Sequence, residues 1–286
     1  MKQSEWDRRI RRAEELSSTY PFATEGLRFY TRIAAFQRAF FNDLQSLPAS
    51  SVKPPSSASL RDDLDLFVLL PQFAGYLALV QQIAPAPLAS AAGSLAQKGS
   101  TAWQRAIEDF WHGGELSEHS AEDSEAGPEA ASLAGEARYE RFLAWIFLQP
   151  YAEFLAARRP PLHVDGAPRS CPVCGGPPLV GVLRREGDGA RKSLICMLCA
   201  HEWNFRRIYC PSCGEEREPQ MGFYSAPEIA HVRVDVCDSC HTYLKTVDLT
   251  KLGLAVPVVD ELATIPLDLW ARDHGYEKLQ LNLLGT

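Results

Sequence analysis

The sequence predicts a multidomain protein of the α plus small β class. A helical N-terminal domain is followed by two tandem cysteine modules and a C-terminal helix. Apolar residues recur at spacings of three and four before residue 160, which is typical of amphipathic helices. All eight cysteines lie after residue 170, each in a Cys-x-x-Cys pair. Short runs of β-forming residues, separated by Gly and Pro, surround these pairs.

Residues 1–165 form the predicted helical domain, a bundle of about five helices. Two apolar stripes indicate helix faces that point to a core, and they consist of Phe29, Ile33, Phe36, Phe40 and Leu44, and of Phe142, Trp145, Ile146 and Phe154. Ser59 and Asp62 have the spacing of a capping box, which predicts the start of a segment over residues 60–83. The acidic stretch over residues 113–129 is predicted to be an exposed, mobile loop.

The prolines of residues 160–168 mark the predicted end of the helical domain, because proline lacks the backbone donor that a helix needs. The first cysteine module is then expected over residues 166–208 and the second over residues 209–286. Short strands are predicted within them, at residues 179–183, 231–236 and 242–247. An amphipathic helix is expected over residues 260–276, with an inward face that consists of Leu262, Ile265, Leu269 and Trp270.

Composition and charge predict a soluble, cytoplasmic protein. The 286 residues include 29 Lys and Arg against 36 Asp and Glu, a net charge of −7. The first residues lack the apolar core of a signal peptide, and the most apolar stretch, residues 66–80, is interrupted by Pro71 and Gln72. We therefore expect no membrane span. Cytoplasmic thiols stay reduced, so the cysteines are expected to bind metal rather than to form disulfides.

The cysteine half contains an internal repeat. The run CPVCGG at Cys171 recurs as CPSCGE at Cys210, and CMLC at Cys196 is matched by CDSC at Cys237. The period of about 40 residues is typical of a duplicated module. Two Cys-x-x-Cys turns complete one tetrahedral four-sulfur site, so eight cysteines make two sites.

Metal ligation by all eight cysteines is the main functional prediction. The favoured sites are formed by Cys171, Cys174, Cys196 and Cys199, and by Cys210, Cys213, Cys237 and Cys240. A crossed combination of the four pairs stays open. Zinc is the common occupant of such sites, whereas a mononuclear iron centre uses the same ligands, and both metals could be purely structural. Thiol–disulfide exchange is disfavoured because no βαβ pattern accompanies any pair.

Other chemistries have weaker support in the sequence. A basic cluster near the first module could bind nucleic acid, and it consists of Arg184, Arg185, Arg191, Lys192, Arg206 and Arg207. However, residues 171–286 carry 12 Lys and Arg against 15 Asp and Glu, which disfavours nucleic acid as a partner. The arginines are expected to lie on a solvated face or to contact an acidic protein. His201 and His241 are expected beside the sites rather than as ligands. No nucleotide-binding loop, nucleophile elbow or His-Glu-x-x-His motif is present.

Several motifs resemble one protein family over residues 171–276. The matching runs are Leu194-Ile195-Cys196-Met197-Leu198-Cys199 with Glu202-Trp203, Arg207-x-x-Cys210-Pro211-x-Cys213-Gly214, Tyr243-Leu244-Lys245-x-Val247-Asp248, Asp260-Glu261-Leu262-Ala263-Thr264 and Leu267-Asp268-Leu269-Trp270-Ala271. They are similar to the FdhE family of formate dehydrogenase accessory proteins. The helical half resembles that family only in size, order and a few aromatic positions.

The resemblance implies two rubredoxin-like or zinc-ribbon modules with two mononuclear iron sites, zinc being the alternative occupant. It also implies a cytoplasmic maturation factor that binds the catalytic subunit of formate dehydrogenase and is not itself an enzyme. Arg206 and Arg207 are candidate contacts to that subunit. The alternatives that the residues leave open are a zinc-ribbon nucleic-acid-binding protein and a rubredoxin-like electron-transfer or redox protein.

Overall fold

The computed structural model describes residues 4–48, 59–113, 128–160 and 166–285, with side chains in the third range from residue 135 onward. The chain divides into two compact units. The sheet unit comprises Met1–Ala34 and Pro161–Thr286, and the helical unit comprises Ala35–Pro160. Apart from its ends, the predicted mobile loop over residues 113–129 lies outside the described residues.

The helical unit contains most of the helical residues. Its helices are the second half of α2 (Thr24–Ser46), α3 (Leu66–Ile83), α4 (Ala86–Lys98), α5 (Ser100–Gly113) and α6 (Pro128–Ala157). Aromatic side chains fill its core, and the ring of Phe147 lies 4.8–6.5 Å from those of Phe36, Phe40, Phe73 and Tyr76. The predicted apolar stripes are confirmed, because none of their residues is exposed.

Helix α6 continues through Pro150, which lacks an amide to donate to the carbonyl of Ile146. The side chain of Gln37 takes its place, since its Nε2 donates to that carbonyl over 2.7 Å and to Gln149 Oε1 over 2.9 Å. A buried acceptor that would otherwise lack a partner is thereby satisfied. This contact explains why a polar residue stands in the apolar stripe of α2.

The predicted capping box is confirmed, since Ser59 N donates to Asp62 Oδ2 over 3.0 Å and Arg61 N donates to Ser59 Oγ over 3.2 Å. The prediction that it opens one long segment is wrong. The box caps only a short 3₁₀ turn over Leu60–Asp63, and α3 begins after a second cap, in which Asp65 accepts from Phe67 N. Two successive caps therefore set the start of α3.

Helix α3 is long and apolar enough to cross a membrane by length and composition alone. Core helices of water-soluble proteins pass the same test, so this is weak evidence. Five of its side chains are buried in the structure, and they are Leu69, Phe73, Tyr76, Leu77 and Val80. The absence of a membrane span stays a prediction.

The sheet unit holds one seven-stranded sheet. Its strands are β1 (Pro178–Glu186), β2 (Gly189–Cys196), β3 (Glu202–Asn204), β4 (Met221–Ser225), β5 (Val232–Cys237), β6 (Thr242–Asp248) and β7 (Glu277–Lys278). Their order is β3-β2-β1-β6-β5-β4, with β7 beside β6. The three predicted strands are confirmed as parts of β1, β5 and β6. Strands β1–β3 and β4–β6 are the two copies of the repeat, joined by the parallel pair β1–β6.

The two copies are in close contact at Gly181 in β1, which pairs with Thr246 in β6. A Cβ atom on Gly181 would lie 2.2 Å from Thr246 Oγ1. Thr246 cannot move away easily, because it is fully buried and its Oγ1 donates to Asp235 Oδ2 over 2.8 Å. Glycine is therefore required at this position for the copies to share one sheet.

We expect Gly181→Ala to destabilise the sheet unit by about 1–3 kcal/mol, the usual cost of overpacking a buried site. Gly189→Ala is the matched control, since a Cβ there would lie 3.8 Å from its nearest neighbour. Urea denaturation of both variants measures the effect. Equal free energies of unfolding for the two variants would contradict the argument.

Helix α1 (Glu5–Thr19) belongs to the sheet unit, although the sequence placed it in the helical domain. The contact is ionic, because Arg12 Nη2 lies 2.6 Å and Nε 3.0 Å from the carboxylate of the buried Asp260. His231 Nε2 lies 2.8 Å from the same carboxylate. In the structure α1 lies in the sheet unit, and one sheet contains both cysteine modules. The predicted domains 1–165, 166–208 and 209–286 stay a prediction.

The C-terminal helix is two helices, α7 (Pro257–Ala263) and α8 (Ile265–Asp273). The single helix predicted over residues 260–276 is therefore wrong. Thr264 interrupts it, since its hydroxyl hydrogen-bonds the carbonyls of Asp260 and Glu261 just ahead of Pro266. The break turns α8, so that Leu269, expected inward, is 55% exposed.

Acid is expected to weaken the attachment of α1. Burial is the largest influence and raises the pKa of Asp260, but hydrogen bonds from His231 and Arg12 outweigh it and leave that pKa below its ordinary value. A group with a depressed folded-state pKa contributes stability above its unfolded pKa of about 4, and that contribution is lost as the pH falls through the folded pKa.

Asp260→Asn should therefore cost about 1.5–3 kcal/mol at pH 6, the range for hydrogen bonds to charged groups, and the difference from the unsubstituted protein should shrink below about pH 4. Urea denaturation across that pH range measures it. Asp273→Asn, an exposed carboxylate on α8, is the control. A difference that stays constant with pH would refute the ionic role of Asp260.

Candidate metal centres

The four Cys-x-x-Cys pairs form four tight turns with the same backbone plan. In the first turn of each copy, the amide after the second cysteine donates back to the first: Gly175 N to Cys171 O over 2.8 Å, and Gly214 N to Cys210 O over 3.1 Å. Both glycines have a left-handed φ, of 74° and 82°. This conformation suits glycine and explains the Cys-Pro-x-Cys-Gly pattern.

The second turn of each copy follows a strand, β2 or β5. Ala200 and His241 occupy its left-handed position with φ of 52° and 55°. In the second copy, His241 N donates to Cys237 O over 2.8 Å. Non-glycine residues rarely adopt this conformation, so both turns carry backbone strain that the surrounding fold must compensate.

The structure brings the cysteines together in the favoured sequential combination. In the first site Cys171 Sγ lies 3.6 Å from Cys199 Sγ, and Cys174 Sγ lies 3.3 Å from Cys196 Sγ. In the second site the Cys210–Cys240 and Cys213–Cys237 sulfur distances are both 3.7 Å. Within each site all four sulfur atoms lie within 4.8 Å of one another.

These distances suit a tetrahedral metal ion. A metal–sulfur bond of about 2.3 Å places tetrahedral sulfur ligands about 3.8 Å apart. Four thiolates at this spacing fit zinc or mononuclear iron equally well, because both accept tetrahedral sulfur ligation. The chain therefore has two four-cysteine sites that could bind metal ions, and ligation by the eight cysteines stays a prediction.

One thiol in each site is biased toward the thiolate that binds metal. Hydrogen bonds from the thiols of Cys171, Cys196 and Cys199 hold the pKa of Cys174 well below its ordinary value. In the second site burial raises the pKa of Cys240, but hydrogen bonds, first that of the Thr242 hydroxyl, outweigh it and bring the pKa to about 7. In each site one thiol therefore loses its proton more readily than an ordinary cysteine does.

A buried ion pair connects the two copies beside the sites. Lys192 in β2 stands four residues before Cys196, and Asp235 in β5 stands two before Cys237. Lys192 Nζ lies 2.6 Å from Asp235 Oδ2, and both side chains are buried. Strands β1 and β6 lie between β2 and β5 in the sheet, and the absence of a side chain at Gly181 lets β1 and β6 approach each other. Lys192, one of the basic residues near the first module, is therefore paired inside the sheet unit.

A second buried cluster supports the second module. Lys245 Nζ lies 2.5 Å from Asp268 Oδ2 and 3.1 Å from Glu261 Oε1, while Lys278 Nζ lies 3.0 Å from Asp268 Oδ1 and also contacts Glu261 Oε1. The hydroxyl of Tyr243 donates to Asp268 Oδ1 over 2.9 Å. Two positive and two negative charges therefore balance in a fully buried position. The sequence motifs contain these residues without indicating their pairing, although a lysine within an apolar strand such as β6 signals a buried counter-ion.

The remaining predicted residues lie around the sites. Neither His201 nor His241 joins a ligand group among the described residues, and His241 is exposed. Arg207 is exposed, and Arg206 Nη1 lies 3.0 Å from Glu216. Both arginines precede the first cysteine turn of the second site and are therefore on the surface next to it.

Family models match the chain over the part that contains both sites. The FdhE central domain matches residues 170–207, and the FdhE C-terminal domain matches residues 208–284. Over residues 170–284 the chain matches the FdhE family. Each family domain contains one of the two four-cysteine sites, so the duplication in the structure follows the domain division of the FdhE family.

Curated relatives agree with this assignment. FdhE homologs from Aquifex aeolicus, Haemophilus ducreyi and Shewanella baltica are 33%, 31% and 36% identical over 147, 141 and 115 residues. These alignments cover 51%, 48% and 40% of the chain, and 52%, 46% and 38% of the relatives. The matched segment thus spans about half the length of these FdhE relatives or less.

The fold is shared with a solved FdhE structure. The crystal structure of the FdhE protein from Pseudomonas aeruginosa superposes with a TM-score of 0.61 at 24% identity. It covers 99% of this chain and 97% of that protein. The arrangement of a helical region followed by two four-cysteine modules is therefore an FdhE fold.

Proposed function

We propose that this protein is a cytoplasmic accessory factor that binds the catalytic subunit of formate dehydrogenase and supports its maturation. The observation that carries the proposal is the pair of four-cysteine sites within the two matched FdhE domains. The protein acts as a binding factor rather than as an enzyme. The motifs of residues 171–276 that resemble the family add to this support.

We further propose that each site holds one mononuclear iron ion, with zinc as the alternative. The four cysteines supply a tetrahedral sulfur cage, and the ion fixes the turns that carry them. Metal analysis with X-ray absorption after anaerobic purification tests this point. Two ions per chain with four sulfur ligands each are expected. One ion per chain, or nitrogen in the ligand shell, would contradict it.

The charges near the modules favour a protein partner over nucleic acid. Four of the six basic side chains singled out in the sequence pair with carboxylates, through Arg184–Glu202, Arg191–Glu186, Lys192–Asp235 and Arg206–Glu216. Paired cations offer less positive charge to phosphates, which nucleic-acid binding requires. Arg207 is exposed beside the second site and would speed the encounter with an acidic partner.

Gene deletion followed by complementation tests the function. Formate-dependent dye reduction should fall in the deletion strain and return with the unsubstituted gene. A Cys210→Ser, Cys213→Ser variant, checked for folding, should fail to restore it, whereas Ser212→Ala in the same turn should succeed. Normal activity in the deletion strain would show that formate dehydrogenase does not depend on this protein. Full rescue by the cysteine variant would show that the second site is not needed for the function.

A further inference from the structure

The two four-cysteine sites differ sharply in their access to solvent. In the first site all four cysteines are buried, at 2–3% exposure. In the second site Cys210 and Cys237 are buried to the same degree, but Cys213 is exposed and Cys240 is half-buried. Sulfur spacing is nearly the same in both sites, so the difference lies in the surroundings rather than in the ligand geometry.

The residues between the cysteines explain this difference. In the first site the turns contain Val173, Met197 and Leu198, which are 8%, 1% and 1% exposed. The equivalent positions in the second site hold Ser212, Asp238 and Ser239, of which Ser212 is half-buried and the other two are exposed. Apolar side chains in the turns favour burial, and the sulfur atoms beside them are buried too. Polar side chains favour solvent exposure, so the polar turns remain on the surface. The internal repeat thus has one apolar copy and one polar copy.

Hydrogen bonds on the surface hold the polar turns in place. Glu215 accepts from Ser239 Oγ over 2.7 Å and from Arg217 Nη2 over 2.7 Å, which ties the two turns of the second site to each other. Asp238 Oδ1 accepts from Tyr276 OH over 2.6 Å. The second site is therefore ordered but open, because these contacts fix its rim and leave Cys213 uncovered.

We propose that the second site is an exchangeable metal site, open to small hydrophilic thiols and chelators, while the first holds its metal permanently. The inference rests on the metal occupancy given under the proposed function. An incoming anionic donor bonds to the metal as the bond to Cys213 breaks, and the released thiolate takes a proton from water. The metal keeps its oxidation state. Repeated steps at the other ligands remove the ion.

Metal release from the full-length protein tests the proposal. The chain is loaded anaerobically with Zn²⁺, its stoichiometry is measured by native mass spectrometry, and release to 4-(2-pyridylazo)resorcinol is followed over time. One equivalent should leave at least about tenfold faster than the other, a difference of about 1.4 kcal/mol in activation free energy. Alkylation with N-ethylmaleimide during the fast phase should label Cys210, Cys213, Cys237 and Cys240 first.

Two reciprocal variants provide the matched control. Ser212→Val gives the second site the apolar turn of the first and should slow the fast phase. Val173→Ser gives the first site the polar turn of the second and should speed the slow phase. Both keep every cysteine, so a change in rate reports access to the metal.

The outcomes separate the two proposals. Release of both equivalents at one rate, no release from either site, or first labelling of Cys171 and Cys174 would overturn the exchange proposal alone. Unchanged rates of metal release in both variants would overturn the role proposed for the turn residues. A stoichiometry below two would overturn the metal occupancy on which the inference rests, and the inference with it.

Discussion

Replacing Cys171 and Cys174 by serine is expected to unfold the sheet unit and to leave the helical unit, Ala35–Pro160, folded. Metal ligation supplies about 10–16 kcal/mol to small zinc modules, which is as large as the whole stability of an ordinary domain, about 5–15 kcal/mol. The helical unit has its own aromatic core around Phe147 and needs no metal for it. Most of the helical signal in circular dichroism should therefore survive.

Hydrogen exchange with mass spectrometry measures where the structure is lost. Protection should disappear in β1–β6 and also in α1, because α1 is attached to the sheet unit through the ion pair of Arg12 and Asp260. Protection in α3 and α5 should persist. Val173→Ser is the control, since it changes the same turn and keeps all ligands. If α1 stays protected while the strands exchange, the attachment inferred for α1 is incorrect.

Asp268→Asn is expected to cost the sheet unit about 3–5 kcal/mol, the usual effect of removing one partner from a buried ion pair. Asp268 lies 2.5 Å from Lys245 and 3.0 Å from Lys278, so its loss leaves two buried ammonium groups with the single carboxylate of Glu261. Asparagine keeps the shape of the side chain, so the effect reports charge. Urea denaturation, followed by hydrogen exchange of the β6 amides, gives the free energy of unfolding of the sheet unit.

Two further variants make this test specific. Asp273→Asn removes an exposed carboxylate from the same helix and should change stability by less than about 0.5 kcal/mol. The double variant Asp268→Asn, Lys278→Met leaves Lys245 and Glu261 as one positive and one negative charge in the cluster. It should recover part of the free energy of unfolding that Asp268→Asn loses, because the two positions are coupled. An Asp268→Asn variant as stable as Asp273→Asn would show that the cluster contributes nothing.

Both predictions concern a single sheet that is shared by two copies of a repeat. Each copy brings its own cysteines together through local turns, but the copies depend on each other at Gly181 and Thr246 and at Lys192 and Asp235. Both four-cysteine sites therefore belong to one continuous sheet.

Local features of the sequence determined much of this protein. Each Cys-x-x-Cys turn involves only a few neighbouring residues, and the repeat of about 40 residues favoured the combination of turns that the structure has. Helical stripes and the capping box at Ser59 also depend on neighbours only a few residues apart. Such interactions can be read from spacing because the backbone fixes their geometry.

Only the tertiary structure decided what joins distant segments. Arg12 forms an ion pair with Asp260, and Lys192 forms one with Asp235 across the strand that contains Gly181. Nothing in the local sequence pattern links these residues. The C-terminal helix is interrupted at Thr264, and in α8 Asp268 is buried while Leu269 is exposed. The buried Asp268 pairs with Lys245 and Lys278, which are distant in the local pattern. The physical reason is the cost of burying charge: a buried ion must find its counter-ion wherever the fold places one, and periodicity carries no information about that choice.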